Sequence, residues 1–184
     1  MINGDGRRVP LIGSPDEWFE WLTGRDDKRA HEATMILGGL EPSDPVPIPP
    51  LVQRLDASTE KAQFWAIIAL GRLEINALSA APRLREIARA HEAFGLRQAA
   101  ILALKRIAPA DPATKETLKL GLGDPNPFVR RETLRAFIDV PNLTPADLQL
   151  IAAAATDSNE AVAAWSEIAL RNIRLQVESG SRRV

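Results

Sequence analysis

The chain has 184 residues and a formal net charge of −1, which suits a single domain with a core of its own and argues against a dedicated nucleic-acid binder, whose domain would be basic. It has no cysteine, which removes disulfides, thiolate metal sites and a cysteine nucleophile and fits a reducing compartment. Residues 1–13 hold Arg7 and Arg8 but no apolar run of signal-peptide length, and no window approaches the ~20 apolar residues of a membrane span, so the expected setting is the cytoplasm without membrane contact.

In chain order, residues 1–13 read as a flexible lead-in. Ser14-Pro15-Asp16-Glu17 is a capping box with proline in the first turn, and it predicts a helix over 14–23. Trp18, Trp21 and Leu22 share one face of that helix and are expected to close the open end of a core, or else to form a sticky end for dimerisation. A second helix is predicted over 26–38. The segment Glu41–Pro50 holds five prolines and reads as an extended connector. Further helices are predicted in pairs: 49–56 with 59–73, 79–90 with 93–108, 111–121 with 126–139, and 144–155 with 159–176. Asp111-Pro112, Asn126-Pro127 and Thr144-Pro145 each set a capping side-chain oxygen before a proline, which lacks the N–H that a first turn leaves unpaired. Gly38-Gly39 and Gly121-Leu122-Gly123 are expected to be C-terminal caps. Residues 177–184 form a polar tail, and no strand pattern competes.

The helix pairs repeat. Leu37, Leu70, Leu104, Phe137 and Leu170 stand in equivalent contexts at spacings of 33, 34, 33 and 33 residues. Small residues recur four positions earlier, at Ala33, Ala66, Ala100, Thr133 and Ser166, where they let a neighbouring helix approach. Neither helix of a pair can bury its apolar face alone, so neighbours must stack. The expectation is an all-α fold, a right-handed α-solenoid (α-α superhelix) of about five helix-pair repeats in one domain over residues 14–176.

The segments DPNPFVRRETLRAF (124–137) and FGLRQAAILALKRI (94–107) resemble HEAT repeats of the short, phycobilisome-lyase type. The mark is a turn aspartate, an apolar–arginine pair, then alanines. Asp124 with Val129-Arg130, and Leu96-Arg97, carry it; Asp157 with Val162 carries it in part, since Ala163 replaces the arginine. The resemblance implies the solenoid fold. For function it implies an interaction scaffold, with a lyase or hydroxylase-like enzyme subunit, or a nucleic-acid-binding relative, as alternatives.

Candidate sites follow from repeat position. Trp65 and Trp165 hold one place in their repeats, shared by Glu32 and Glu132, so that place is expected to be a partly exposed ridge where tryptophan can anchor a partner. With Gln98, Arg131 and Arg135 they form the expected partner-binding set on the curved face, for a protein or peptide ligand; nucleic acid is the weaker alternative. Arg97 and Arg130 are expected to tie repeats together. Lys105, Arg106, Arg130, Arg131, Arg135, Arg171 and Arg174 make the second helices of the later repeats locally basic, diluted by Glu132, Asp139, Glu160 and Glu167. Resemblance to HEAT-type diiron hydroxylases, which place His-Glu pairs near the starts of second helices, makes His31 and Glu32 a remote metal alternative. That chemistry needs several facing pairs, whereas the chain has two histidines and the other pair, His91-Glu92, is expected to begin a helix. No catalytic residue, metal or cofactor is therefore expected. No glycine-rich phosphate loop or nucleophile elbow is present.

Overall fold

The computed structural model describes residues 13–23, 26–37, 39, 48–57 and 59–180. The lead-in over 1–12, the expected cap at Gly38, most of the proline-rich connector and residues 181–184 lie outside the described residues.

Five helix pairs follow one another among the described residues: α1 Pro15–Thr23 with α2 Asp27–Leu37, α3 Ile48–Arg54 with α4 Glu60–Arg72, α5 Ala81–Ala90 with α6 Phe94–Ile107, α7 Pro112–Gly121 with α8 Pro127–Phe137, and α9 Pro145–Ala153 with α10 Glu160–Glu178. The helix starts are the local ones read from the sequence. Ser14 N donates to Glu17 Oε2 at 2.7 Å and Glu17 N donates to Ser14 Oγ at 3.3 Å, closing the capping box. Asp111, Asn126 and Thr144 each accept an amide of the following first turn. Thr144 gains a reciprocal bond from its own amide to Asp147, which makes a second capping box. Among the described residues two 3-10 segments had no sequence signal of their own, Glu74–Ala80, which leads into α5, and Ala154–Thr156, which follows α9.

The second helices stack as a continuous layer, α2 on α4, α4 on α6, α6 on α8 and α8 on α10, whereas contact among the first helices is chiefly that of α5 with α7. The second helices thus form the more continuously packed layer of the stack. Small residues permit this packing. A Cβ added at Gly71 of α4 would lie 3.2 Å from the Ala103 Cα of α6. α7 ends at Gly121, within the segment expected to end it, but without a left-handed glycine, since the only described glycines with positive φ are Gly13 and Gly180. Gly121 also permits close approach: a Cβ there would meet Thr133 Oγ1 at 2.6 Å.

The repeat column forms the core. Leu37, Leu70, Leu104 and Phe137 are buried; Leu170, on α10, the last of the described helices, is half-buried. At the other end Trp18 and Leu22 are buried and close the stack, as expected, and Trp21 is half-buried with the Arg29 guanidinium 5.6 Å from its ring centroid. Among the described residues there is no strand, and no helix is long and apolar enough to cross a membrane.

Candidate functional site

Two successive second helices, α6 and α8, carry near their starts the arginines of a ladder. Arg97 Nε and Nη2 donate to both oxygens of Asp124 at 2.7 and 2.8 Å, and Arg130 repeats the fork onto Asp157 at 2.7 and 2.8 Å. The remaining arm of each guanidinium serves its own turn: Arg97 Nη1 donates to His91 O and Arg130 Nη1 to Asp124 O, both at 2.7 Å. Each arginine thus joins two consecutive repeats, the structural role expected of them. The ladder also reaches residues the sequence did not flag. Gln63, at the same repeat place, donates to Ala57 O at 2.9 Å. His91 takes the turn-aspartate's place: its Nδ1 accepts the Ala93 amide at 3.1 Å, as Asp124 Oδ1 accepts Asn126 N and Asp157 Oδ1 accepts Asn159 N. His91 therefore follows the end of α5 and shapes a turn; it does not begin a helix.

These bonds set the acid stability. Burial raises the Asp124 carboxyl, but bonds from Arg97 and the Asn126 amide outweigh it and hold the group below the usual aspartate value. Arg130 does the same for Asp157 against a smaller burial effect. Asp147 is buried, yet the Thr144 amide and the ammonium groups of Lys119 and Lys115 hold it well below that value. A depressed folded-state pKa means that the unfolded chain takes up protons first as pH falls. The stabilisation is complete above the ordinary aspartate value of about 4 and is lost as pH drops below it toward the depressed values. Urea midpoints measured from pH 7 to pH 2 should be flat at the upper end and fall steeply below about pH 4; a profile flat to pH 2 would show that these carboxylates are not coupled to folding.

The expected contact residues lie on the second helices, four of them in α4, α8 and α10 and Gln98 in α6, in two groups. Trp65 is half-buried. Its Nε1 donates to Asp27 Oδ1 at 3.2 Å, the same carboxylate that Lys61 approaches at 2.8 Å. Trp65 walls an open cavity of about 610 Å³ together with Phe64, Ala93, Phe94, Gly95 and Leu96. Arg135 and Trp165 form the other group: the guanidinium stands 5.3 Å from the indole centroid while Nη1 donates to Glu132 Oε2 at 2.9 Å. They line a cavity of about 270 Å³ with Lys105, Ile138, Asp139, Ile168 and Asn172. Gln98 and Arg131 lie between the two groups along the stack and are half-buried; Arg131 stacks 5.3 Å from the Phe128 centroid.

The ridge occupied by Trp65 and Trp165 differs from expectation at Glu132. That glutamate is 2% exposed, with Oε1 lacking a hydrogen-bond partner, while its Oε2 accepts from Arg135, which also stacks on Trp165. A shared repeat position does not confer shared exposure. Sequence reading also missed an aromatic edge. Phe94 and Phe128, both exposed, stack with centroids 6.2 Å apart, and Phe64 meets Trp65 edge-on at 5.5 Å. Their signal was available, since all four sit near the starts of second helices.

His31 and Glu32 are exposed on α2, and His31 contacts the Trp65 ring at 6.4 Å. No group of three or more His, Asp or Glu among the described residues is arranged to hold a metal ion. The expected basic tract is broken up: Lys105 pairs with Asp139, Arg130 with Asp157 and Arg135 with Glu132.

A family model described as HEAT repeats matches residues 15–105 and again 81–171. No curated protein matches the chain. Among solved structures the chain is similar to an engineered protein at 22% identity and a TM-score of 0.61, with 89% of this chain and 82% of that chain covered. It is similar to a second engineered protein at 18% identity and a TM-score of 0.60, covering 92% and 86%. A designed armadillo repeat protein in complex with the peptide (KR)4 matches at 16% identity and a TM-score of 0.58, covering 85% and 80%. At such identities the likeness is one of fold.

Proposed function

Because the chain belongs to the HEAT repeat family, we propose that it is a non-catalytic scaffold binding a protein or peptide along its second-helix face, with Trp65, Gln98, Arg131, Arg135 and Trp165 as contact residues. The observation that carries this reading is the open, largely apolar cavity walled by Phe64, Trp65 and Phe94, at one end of a face that carries a tryptophan–arginine stack at the other. Rigid aromatic surface supplies area at low entropic cost, and guanidinium groups fix orientation. A designed armadillo protein that shares the fold holds a peptide, which supports peptide binding as the use of such a surface. The turn aspartates and ladder arginines favour the phycobilisome-lyase type of repeat, residues 14–176 are taken as the functional unit, and a cytoplasmic setting suits a chain without cysteine.

The test is selection of a displayed library of random dodecapeptides on the purified protein. Trp65→Ala and Trp165→Ala are each expected to weaken a selected peptide about tenfold or more, the scale of a hot-spot residue, while thermal unfolding stays cooperative. Peptides indifferent to both replacements, or no selected peptide at all, would overturn the reading.

A further inference from the structure

Many cations of both helix layers are paired with carboxylates, Arg97, Lys105, Arg130 and Arg135 among those of the second helices. On the first helices α5 and α7, Arg83 pairs with Asp56 and Glu86, Arg85 with Asp111, and Lys115 and Lys119 both with Asp147. Arg89 reaches Thr117 Oγ1 at 2.9 Å. On the second helices, Arg72 of α4 and Arg106 of α6 make no hydrogen bond, ion pair or ring contact with any described residue. Both stand two residues beyond the repeat leucine, Leu70 and Leu104, so stacking of α4 on α6 sets them at matching heights. Together they border a cleft of about 100 Å³ whose walls include Ile68, Leu102, Gly71 and Ala103. The cleft exists because residue 71 has no side chain and the two backbones approach there.

The pair is confined to this step of the stack. The equivalent residue of α8 is Asp139, neutralised by Lys105 at 3.2 Å, and that of α10 is Asn172, whose Nδ2 donates to Ile168 O. We propose that this cleft binds an acidic peptide segment in extended form, placing one apolar side chain between α4 and α6 and carboxylates on Arg72 and Arg106. The inference rests on the scaffold reading and names the chemistry of its partner. Guanidinium groups free of internal acceptors keep their planar forks available, and carboxylates match those forks bidentately. Neighbouring helix axes lie about 8–10 Å apart, about one turn of a polyproline-II segment, whose three residues per turn and ~3.1 Å rise put carboxylates three apart on one side, so that both arginines are reached. A basic peptide meets like charge here. A nucleic acid needs many more phosphate contacts, roughly 6–10 in a typical site, and gains nothing from an apolar cleft.

Fluorescence anisotropy of a labelled peptide of four Glu-Leu-Ser repeats tests the proposal, with Lys-Leu-Ser and Ser-Leu-Ser repeats and a single-stranded oligothymidine as companion probes. The glutamate peptide is expected to bind tightest. Arg72→Gln and Arg106→Gln are each expected to weaken it about tenfold, the scale of a lost charge-assisted hydrogen bond, with Arg174→Gln on the last helix leaving it unchanged and circular dichroism melting showing all variants folded. Tighter binding of the lysine or serine peptide would overturn the acidic partner while leaving the scaffold reading intact. Preference for the oligothymidine would overturn the peptide in favour of nucleic acid. Glutamate binding indifferent to both arginine variants would overturn the site. No binding by any peptide would overturn the proposal, and the library selection above then decides the scaffold reading separately.

Discussion

Phe137→Ala is expected to destabilise the protein by about 4 kcal/mol, in the range of buried phenylalanine truncations. Phe137 is fully buried at the repeat-column position of α8, and α8 is held between α6 and α10. Two neighbouring helices therefore keep the vacated volume open, and the cavity cannot collapse without unstacking a repeat. The same column predicts a gradient. Leu170→Ala in the half-buried terminal position should cost less than the ~2–5 kcal/mol of a fully buried leucine. Urea denaturation of both variants checks this; equal losses would show that stacking does not grade the core along the solenoid.

Asp124→Ala is expected to cost about 3 kcal/mol, the lower end of what removing one partner of a buried ion pair costs. Arg97 and Asp124 side chains are 11% and 8% exposed, so the stranded guanidinium cannot recover full hydration, and the turn loses the Asn126 amide contact as well. Arg83 and Asp56 make an equally short contact, but their side chains are 42% and 62% exposed. Arg83→Ala should therefore cost no more than about 1 kcal/mol. A double-mutant cycle of Arg97→Ala with Asp124→Ala should show strong coupling, because the second replacement removes a charge already left without its partner. Additive losses would mean that the ladder does not link the repeats. Arg97 and Arg130 are thus consumed by the architecture, whereas the side chains of Arg72 and Arg106 border a cleft without such partners among the described residues.

Much of the fold was legible along the chain because the signals are local. A cap is an interaction between a side chain and an amide two or three residues on, so Ser14, Asp111, Asn126 and Thr144 declare their helices without reference to anything distant. The column Leu37, Leu70, Leu104, Phe137 and Leu170 is legible for the same reason: the helical period puts each on the apolar face of its own helix, and the repeat interval makes them correspond. The ladder arginines were legible in place and purpose, since their position recurs beside a turn aspartate.

What only the tertiary structure decided is exposure and pairing. Arg97 finds its acceptor 27 residues away, and nothing near Arg72 or Arg106 in the chain says that neither finds one. Glu132 is buried and Trp65 half-buried at the same repeat place, because exposure depends on what packs around each position: Arg135 of its own helix binds Glu132 and in turn stacks on Trp165 of the next second helix. His91 shapes a turn as an aspartate stand-in since its Nδ1 meets the Ala93 amide, and Gly121, at the end of α7, also permits close approach to Thr133. Local hydrogen bonds and periodicity determine the helices and their register; which side chains remain free to meet a partner is set by neighbours one repeat away, through contacts that a linear pattern does not encode.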